Sequence, residues 1–291
     1  MRAIGGIRGI DLFLFYSYRY CQTFFGLPRV ASRSILVPTA EEDPAVRLAI
    51  FRGLFRSPRG ILYLTPEERD LINEVSGNAA VPSAIIGTGL DIEPGDSTTD
   101  RFPAAAGALQ QSGLDGHYVL YVGRIDKNKG VDRLFRYYEW LAAEWPEAPA
   151  LVLIGTPVLP IPDHPKIRHL GFVSHAEKQA LVGGCTLLVM PSRYESLSIA
   201  VLEAWAASRP VLAHSACRVL EGQCRRSGGG LLYRDYAEFR IAIRLLAERA
   251  DVRRRLGASG RAYVEEESNW PVVEARVNAF LEWVSADRAR R

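Results

Sequence analysis

The sequence predicts an α/β protein built from two Rossmann-like domains with parallel sheets, the first of them incomplete. Three observations carry that reading. Short apolar runs recur along the chain, each bounded by Gly or Pro and followed by a helical stretch, a pattern that packs as a parallel sheet covered on both faces. A segment rich in Pro, Gly, Ala, Ser and Thr divides the chain. What precedes that segment is short for a whole domain at ~30 residues per strand–helix–strand unit. It also lacks the opening strand and Gly-rich turn with which a doubly wound domain begins. The expected boundaries are 1–95 for the partial first domain, 96–116 for the linker, 117–266 for the second domain and 267–291 for a terminal helical segment.

The chain has 291 residues, 48% hydrophobic and 24% charged, as in an ordinary globular protein. A net charge of +3, with no basic cluster interleaved with aromatics, argues against a nucleic-acid partner. No run approaches the ~18 apolar residues of a membrane-spanning helix, and the first residues carry no clean signal-cleavage site. Cys21, Cys185, Cys217 and Cys224 are scattered without metal-ligand spacing, which points to a reduced, cytoplasmic setting.

In the first part, Asp11 to Phe15, Ile35 to Pro38, Ile61 to Leu64 and Ala84 to Ile86 read as strands. Pro44 to Phe55 reads as a helix with Asp43 as N-cap, and Thr65 with Glu68 as a capping box opening the next helix. Arg52, Arg56 and Arg59 share one side of the helix from Pro44. That face reads either as the solvated side of a sheet-covering helix or as a peripheral contact with the inner face of a membrane.

After the linker, His117 to Val122 is a strand that runs into Gly123-Arg124-Ile125-Asp126-Lys127-Asn128-Lys129-Gly130, and Val131 to Ala143 is an amphipathic helix. A strand, a glycine turn with fixed cations and a helix form a cradle for phosphate. Leu151 to Ile154 and Ile167 to Val173 are further strands, and Ser174 caps a helix to Leu181. Thr186 to Met190 is a buried strand ended by Pro191, because proline cannot donate to a ladder. Ile199 to Ala207 follows as a helix with Ser196 or Ser198 at its N-cap. Pro210 to Ala213 is the next strand, then Ser227 to Tyr233 a glycine-rich turn and strand. Asp235 to Arg249, Val252 to Glu267 and Val272 to Arg288 are helices, the last two separated at Trp270-Pro271.

Glu203 sits in this apolar helix, where an unpaired carboxylate is costly, and no Lys or Arg lies within a turn of it. It needs donors, and sugar diols suit a carboxylate. Glu195 precedes it by eight residues in the strand-to-helix loop. The N–H groups of Ser196, Leu197, Ser198 and Ile199 gather at a helix N-terminus, which favours an anion such as a diphosphate. The pair Glu195 and Glu203, framed by a buried strand, Pro191-Ser192 and Pro210-Val211, resembles the donor motif of the GT-B glycosyltransferases, specifically glycosyltransferase family 4.

That resemblance implies a retaining, metal-independent enzyme of GT-B-like fold that moves a sugar from a nucleoside diphosphate onto an acceptor. It implies that Glu195 contacts the sugar hydroxyls and Glu203 the ribose. Arg124 and Lys129 would meet the donor phosphates beside Gly123, and Ser196, Leu197 and Ser198 would offer backbone N–H groups to the diphosphate. Gly229 and Gly230 would let the backbone approach the nucleotide, and the helix in 267–291 would cross back to the first domain, packing Val272, Val277, Phe280 and Leu281 against it. Glu195, Arg124 and Lys129 are the candidates for the catalytic step. No cofactor is implied beyond the nucleotide sugar as substrate, and the acceptor is left open among glycan, lipid and small molecule. Two departures stand out: Leu197-Ser198 replaces the Phe-Gly of many members, and no His precedes residue 117 to supply the first domain's catalytic-site histidine. The alternative is an inactive nucleotide-sugar-binding remnant or partner subunit. A dehydrogenase is disfavoured, since no Gly-x-Gly-x-x-Gly follows a strand.

Overall fold

The computed structural model describes residues 4, 9–92 and 117–290, the last four by backbone alone. The linker expected at 96–116 lies outside the described residues. The chain divides into two compact units. One comprises Met1–Gly89, Tyr194–Leu197 and Glu267–Arg291, the other Leu90–Arg193 and Ser198–Glu266.

In the first unit the strands β1 (Phe13–Tyr16), β2 (Ser34–Val37), β3 (Gly60–Tyr63) and β4 (Ser83–Ile85) are parallel and adjacent in chain order. β2 and β3 are buried along their whole length, as unbroken apolar runs inside a covered sheet require. Among the described residues β1 is the outermost strand of this sheet, and Leu14 and Tyr16 on it are exposed. Helices α1 (Cys21–Gly26), α2 (Ala49–Arg56) and α3 (Pro66–Ser76) cover the sheet.

The continuous helix expected over Pro44 to Phe55 is broken. Pro44–Arg47 is a 3₁₀ turn capped by Asp43, whose Oδ1 accepts the Ala45 N–H at 3.0 Å, and Leu48 is extended. An unbroken helix would turn Val46 away from the stripe of Phe51, Leu54 and Phe55, whereas the break buries all four. α1 has no apolar period of its own and was not foreseen. Tertiary packing holds it, with the Phe24 ring edge-on to Phe51 at 5.8 Å.

The helix α10 (Trp270–Arg290) belongs to this unit. Phe280 and Val284 are buried with Ile35, Val37 and Leu62, and Val277 and Leu281 pack against them. Val272, expected in the same face, is half-buried, and Val273 is buried in its place. Of the arginines assigned to a solvated or membrane-facing side, Arg56 donates to the Ser76 carbonyl and Arg59 to the Val284 carbonyl at 2.6 Å. Those two tie the fold together.

The second unit holds β5 (Tyr118–Val122), β6 (Ala150–Ile154), β7 (Ile167–His169), β8 (Leu187–Met190), β9 (Val211–His214) and β10 (Gly230–Tyr233). All pairings are parallel, in the order β10-β9-β8-β5-β6-β7. The order reverses between β5 and β8, which is where a doubly wound sheet opens a crevice beyond the carboxyl ends of its strands. Between the strands run α4 (Val131–Glu144), α5 (His175–Gly184), α6 (Ile199–Ala206) and α7 (Arg218–Ser227), followed by α8 (Tyr236–Glu248) and α9 (Ala250–Glu267). One core joins Val119, Leu151, Leu187 and Leu212 of the sheet to Leu134, Tyr138, Phe239 and Ile243 of the helices.

Candidate functional site

Two loops leave the sheet of the second unit on either side of the reversal, one from β5 to α4 and one from β8 to α6. They are fitted to each other. Gly130 has φ of 72°, and a Cβ there would stand 2.4 Å from the Pro191 carbonyl oxygen, so only glycine closes this contact. Gly123, with φ of 148°, opens the first loop directly behind β5.

Asp126 organises that loop. It is 7% exposed, its Oδ1 accepts the Lys129 N–H at 2.8 Å, and its Oδ2 pairs with Arg124 Nε. The Arg124 side chain remains 58% exposed, so a planar cation is anchored at one edge while its far end stays wet. Lys129, half-buried, lies one residue before Gly130.

On the other loop Ser198 takes the N-cap position of α6 with extended backbone, but its side chain makes no capping hydrogen bond. The first-turn N–H groups of α6 therefore keep their capacity for an anion. Glu203, one turn further, is paired: Lys178 Nζ stands 2.5 Å from its Oε1, and both side chains are about three-quarters buried. The expectation that Glu203 has no protein cation nearby is thus corrected. Lys178 comes from α5, 25 residues earlier in the chain, beyond the reach of any count along one helix.

At the end of β9, His214 is 3% exposed, its Nδ1 accepts the Ala216 N–H at 3.0 Å, and its Nε2 lies 2.9 Å from Arg133. Burial first, then the charges of Arg133 and Arg193, push its pKa down to about 4. The imidazole is neutral at pH 7 and lies among cations, which makes this end of the sheet electropositive. Phe172, 95% exposed, precedes the Ser174–Glu177 capping box of α5.

Gly123, Arg124, Lys129, Ser198 and Glu203 all belong to the second unit, where the two loops touch at Gly130 and Pro191. Glu195, Ser196 and Leu197 belong to the first. There the Ser196 carbonyl accepts the Thr65 hydroxyl at 3.2 Å, and Leu197 packs against the Leu62–Leu64–Ile86 cluster. Gly229 and Gly230 lie apart from the others, at the amino end of β10 and so at the opposite edge of the sheet. A Cβ at 229 would meet Trp205 Nε1 at 2.5 Å, and one at 230 the Val211 carbonyl at 2.7 Å, so their small size serves internal packing. Asp126, Lys178 and Phe172 were not singled out from the sequence. Only Asp126 carried a local signal, as an acid placed among the three cations Arg124, Lys127 and Lys129 of a turn. Among the described residues, no three His, Cys, Asp or Glu side chains stand together as a metal site, and no helix is long and apolar enough to cross a membrane.

Residues 116–249 match the protein family described as Glycosyl transferases group 1. The α-D-kanosaminyltransferase of Streptomyces kanamyceticus is 32% identical over 191 residues, 59% of this chain and 46% of that protein. The mannosylfructose-phosphate synthase of Agrobacterium fabrum is 26% identical over 180 residues, 55% of this chain and 38% of that protein. The chain spans about half the length, or less, of these curated relatives. Among solved structures, sucrose-phosphate synthase from Thermosynechococcus elongatus superposes with a TM-score of 0.76 at 20% identity, covering 98% of this chain and 76% of that one. HepE of Anabaena, solved with UDP and glucose, gives 0.74 at 16% identity over 92% and 77%. At such identities the likeness is one of fold, and that fold is GT-B.

Proposed function

We propose that this chain, whose residues 116–249 are a group 1 glycosyltransferase domain, binds a nucleoside-diphosphate sugar and transfers the sugar to an acceptor with retention. One observation carries the reading. The β5–α4 loop with Arg124 and Lys129, and the β8–α6 loop with the uncapped start of α6, are locked together at the reversal of a doubly wound sheet. Cations and free N–H groups converging there suit a diphosphate.

In this reading Arg124 and Lys129 hold the diphosphate, helped by the N–H groups of Ser196, Leu197 and Ser198. Glu203, turned by Lys178, accepts from the ribose hydroxyls, and Glu195 from those of the sugar. Phe172 offers the base an aromatic face. The bond from the anomeric carbon to the diphosphate oxygen breaks, and the acceptor oxygen bonds to that carbon on the same face. The acceptor's proton passes to the departing phosphate, so the step uses neither a carboxylate nucleophile nor a metal. The acceptor is a glycan, a lipid or a small molecule. The family 4 assignment, a cytoplasmic location and any peripheral membrane contact belong to the same proposal.

Calorimetry with UDP-, ADP- and GDP-sugars, each beside its bare nucleotide, tests the site. Arg124→Ala is expected to weaken a diphosphate far more than the nucleoside. Glu195→Ala is expected to remove the advantage of the sugar nucleotide over the nucleotide. Failure of the wild type to bind any of the three pairs would sink the reading. Binding without transfer to any acceptor in a panel would make the chain a binding subunit instead.

A further inference from the structure

The segment Tyr194–Leu197 belongs to the first unit, although β8 before it and α6 after it belong to the second. Two anchors fix it there. Leu197 packs against the cluster that contains Val37, Leu62, Leu64 and Ile86. The Ser196 carbonyl receives the Thr65 hydroxyl at 3.2 Å.

The polar anchor has a fixed direction. A threonine hydroxyl carries one proton and two lone pairs. At Thr65 a lone pair already takes the Glu68 N–H at 3.1 Å, as the N-cap of α3, which leaves the proton for the Ser196 carbonyl. Thr65 is 3% exposed, so water does not compete for that proton. The backbone beneath it is held as well. The Glu68 carboxylate is fully buried and accepts the Leu64 N–H at 2.7 Å and the Ala40 N–H at 2.6 Å. A buried acid thus fixes the loop after β3, the Thr65 hydroxyl fixes the Ser196 peptide, and Glu195 is the residue joined to that peptide.

We propose that Thr65 is a positioning residue for Glu195: its hydroxyl holds the Ser196 peptide and thereby sets where the Glu195 carboxylate meets the sugar. The inference rests on the role given to Glu195 above. Selection of the sugar is then governed by a residue of the first unit that touches no ligand. It also explains why this N-cap is a hydroxyl, since Asp would cap α3 but has no proton to give.

The experiment compares affinities for UDP-glucose and UDP, or for the sugar–nucleotide pair the wild type binds best, in wild type, Thr65→Gly and Thr65→Ser. Glycine is a tolerated N-cap and serine keeps the hydroxyl. In Thr65→Gly the preference for the sugar nucleotide over the nucleotide is expected to fall roughly tenfold, which corresponds to about 1.4 kcal/mol. Affinity for the bare nucleotide is expected to stay put, and Thr65→Ser to restore the preference. A merely structural role would weaken both ligands alike. An unchanged preference in Thr65→Gly, or an equal loss for both ligands, overturns the inference. Thr65→Val carries the same expectation if the glycine variant does not fold. If Glu195→Ala abolishes the preference while Thr65→Gly leaves it intact, Thr65 alone is cleared. If Glu195→Ala leaves it intact, the reading of Glu195 itself has failed.

Discussion

The two units use the same alternation of strand and helix and spend their charged residues in opposite ways. In the second, the strand order reverses between β5 and β8, and the loops that part there carry Arg124, Lys129 and the start of α6. Its acids meet side-chain cations: Glu203 has one oxygen on Lys178, and Asp126 holds Arg124 by an edge. In the first, the strands run in chain order without reversal. Its central acid, Glu68, is sealed from solvent and accepts backbone N–H groups from the loops after β2 and β3. The contrast teaches that a parallel sheet leaves room for a ligand where its loops diverge, and acts as a brace where they are pulled together.

The sharpest way to break that contrast is Glu68→Ala. It strands at least two buried N–H groups and is expected to cost about 3 kcal/mol or more. Amide exchange read strand by strand should show β2 and β3 opening while β8 and β9 keep their protection. Equal opening of both units would mean they do not stand as separate braces. Gly229→Ala comes next. Its Cβ collides with Trp205 and Gly260, and a loss of roughly 1–3 kcal/mol in a urea titration is expected. Nucleotide affinity should not change, since position 229 lies at the edge of the sheet away from the loops; a weakened nucleotide would return that glycine to the site. Asp126→Ala frees Arg124 and the Lys129 N–H, and should lower diphosphate affinity roughly tenfold, with little effect on nucleoside binding by calorimetry.

The pH dependence separates the units by sign, with small amplitude near neutrality. Burial pushes the Glu68 carboxyl up to about 7, against the N–H groups of Ala40, Leu64 and Thr65. The folded state therefore holds that proton more tightly than the unfolded chain. This contribution to stability is complete below the ordinary carboxylate range and is lost as pH rises through about 7. His214 does the reverse: with its pKa lowered to about 4, it stabilises above about 6.5 and that contribution is lost as pH falls toward 4. The two windows overlap between about pH 4 and 7 and oppose each other. Urea midpoints should therefore fall more steeply toward acid in Glu68→Gln, which leaves the His214 slope alone, and more steeply toward neutrality in His214→Gln, which leaves the Glu68 slope alone. A slope that survives its own substitution refutes that assignment.

Much of the second unit was legible because its strands are apolar runs punctuated by Gly and Pro, and its loops carry their cations in sequence. Lys178 was not legible, since the pair it forms with Glu203 exists only once α5 and α6 lie side by side. The Thr65–Glu68 capping box could be read from its spacing, but the complete burial of Glu68 could not, because the Ala40 N–H reaches it from another loop. Leu48 and α1 escaped for a similar reason: tertiary packing of Val46 and Phe24 overrode weak local preference. The family's glycine-rich turn was recognised as a motif at Gly229, but a motif does not say which edge of a sheet it occupies.

The terminal position of β1 has a practical consequence. Leu14, Tyr16 and Tyr20 line a hollow of about 430 Å³ beside this outer strand, with Phe13 and Thr23. Greasy flanks along such a border invite strand-to-strand adhesion between copies. Concentrated solutions of this chain should therefore scatter light in proportion to dose, and a lysine at position 14 should keep them clear.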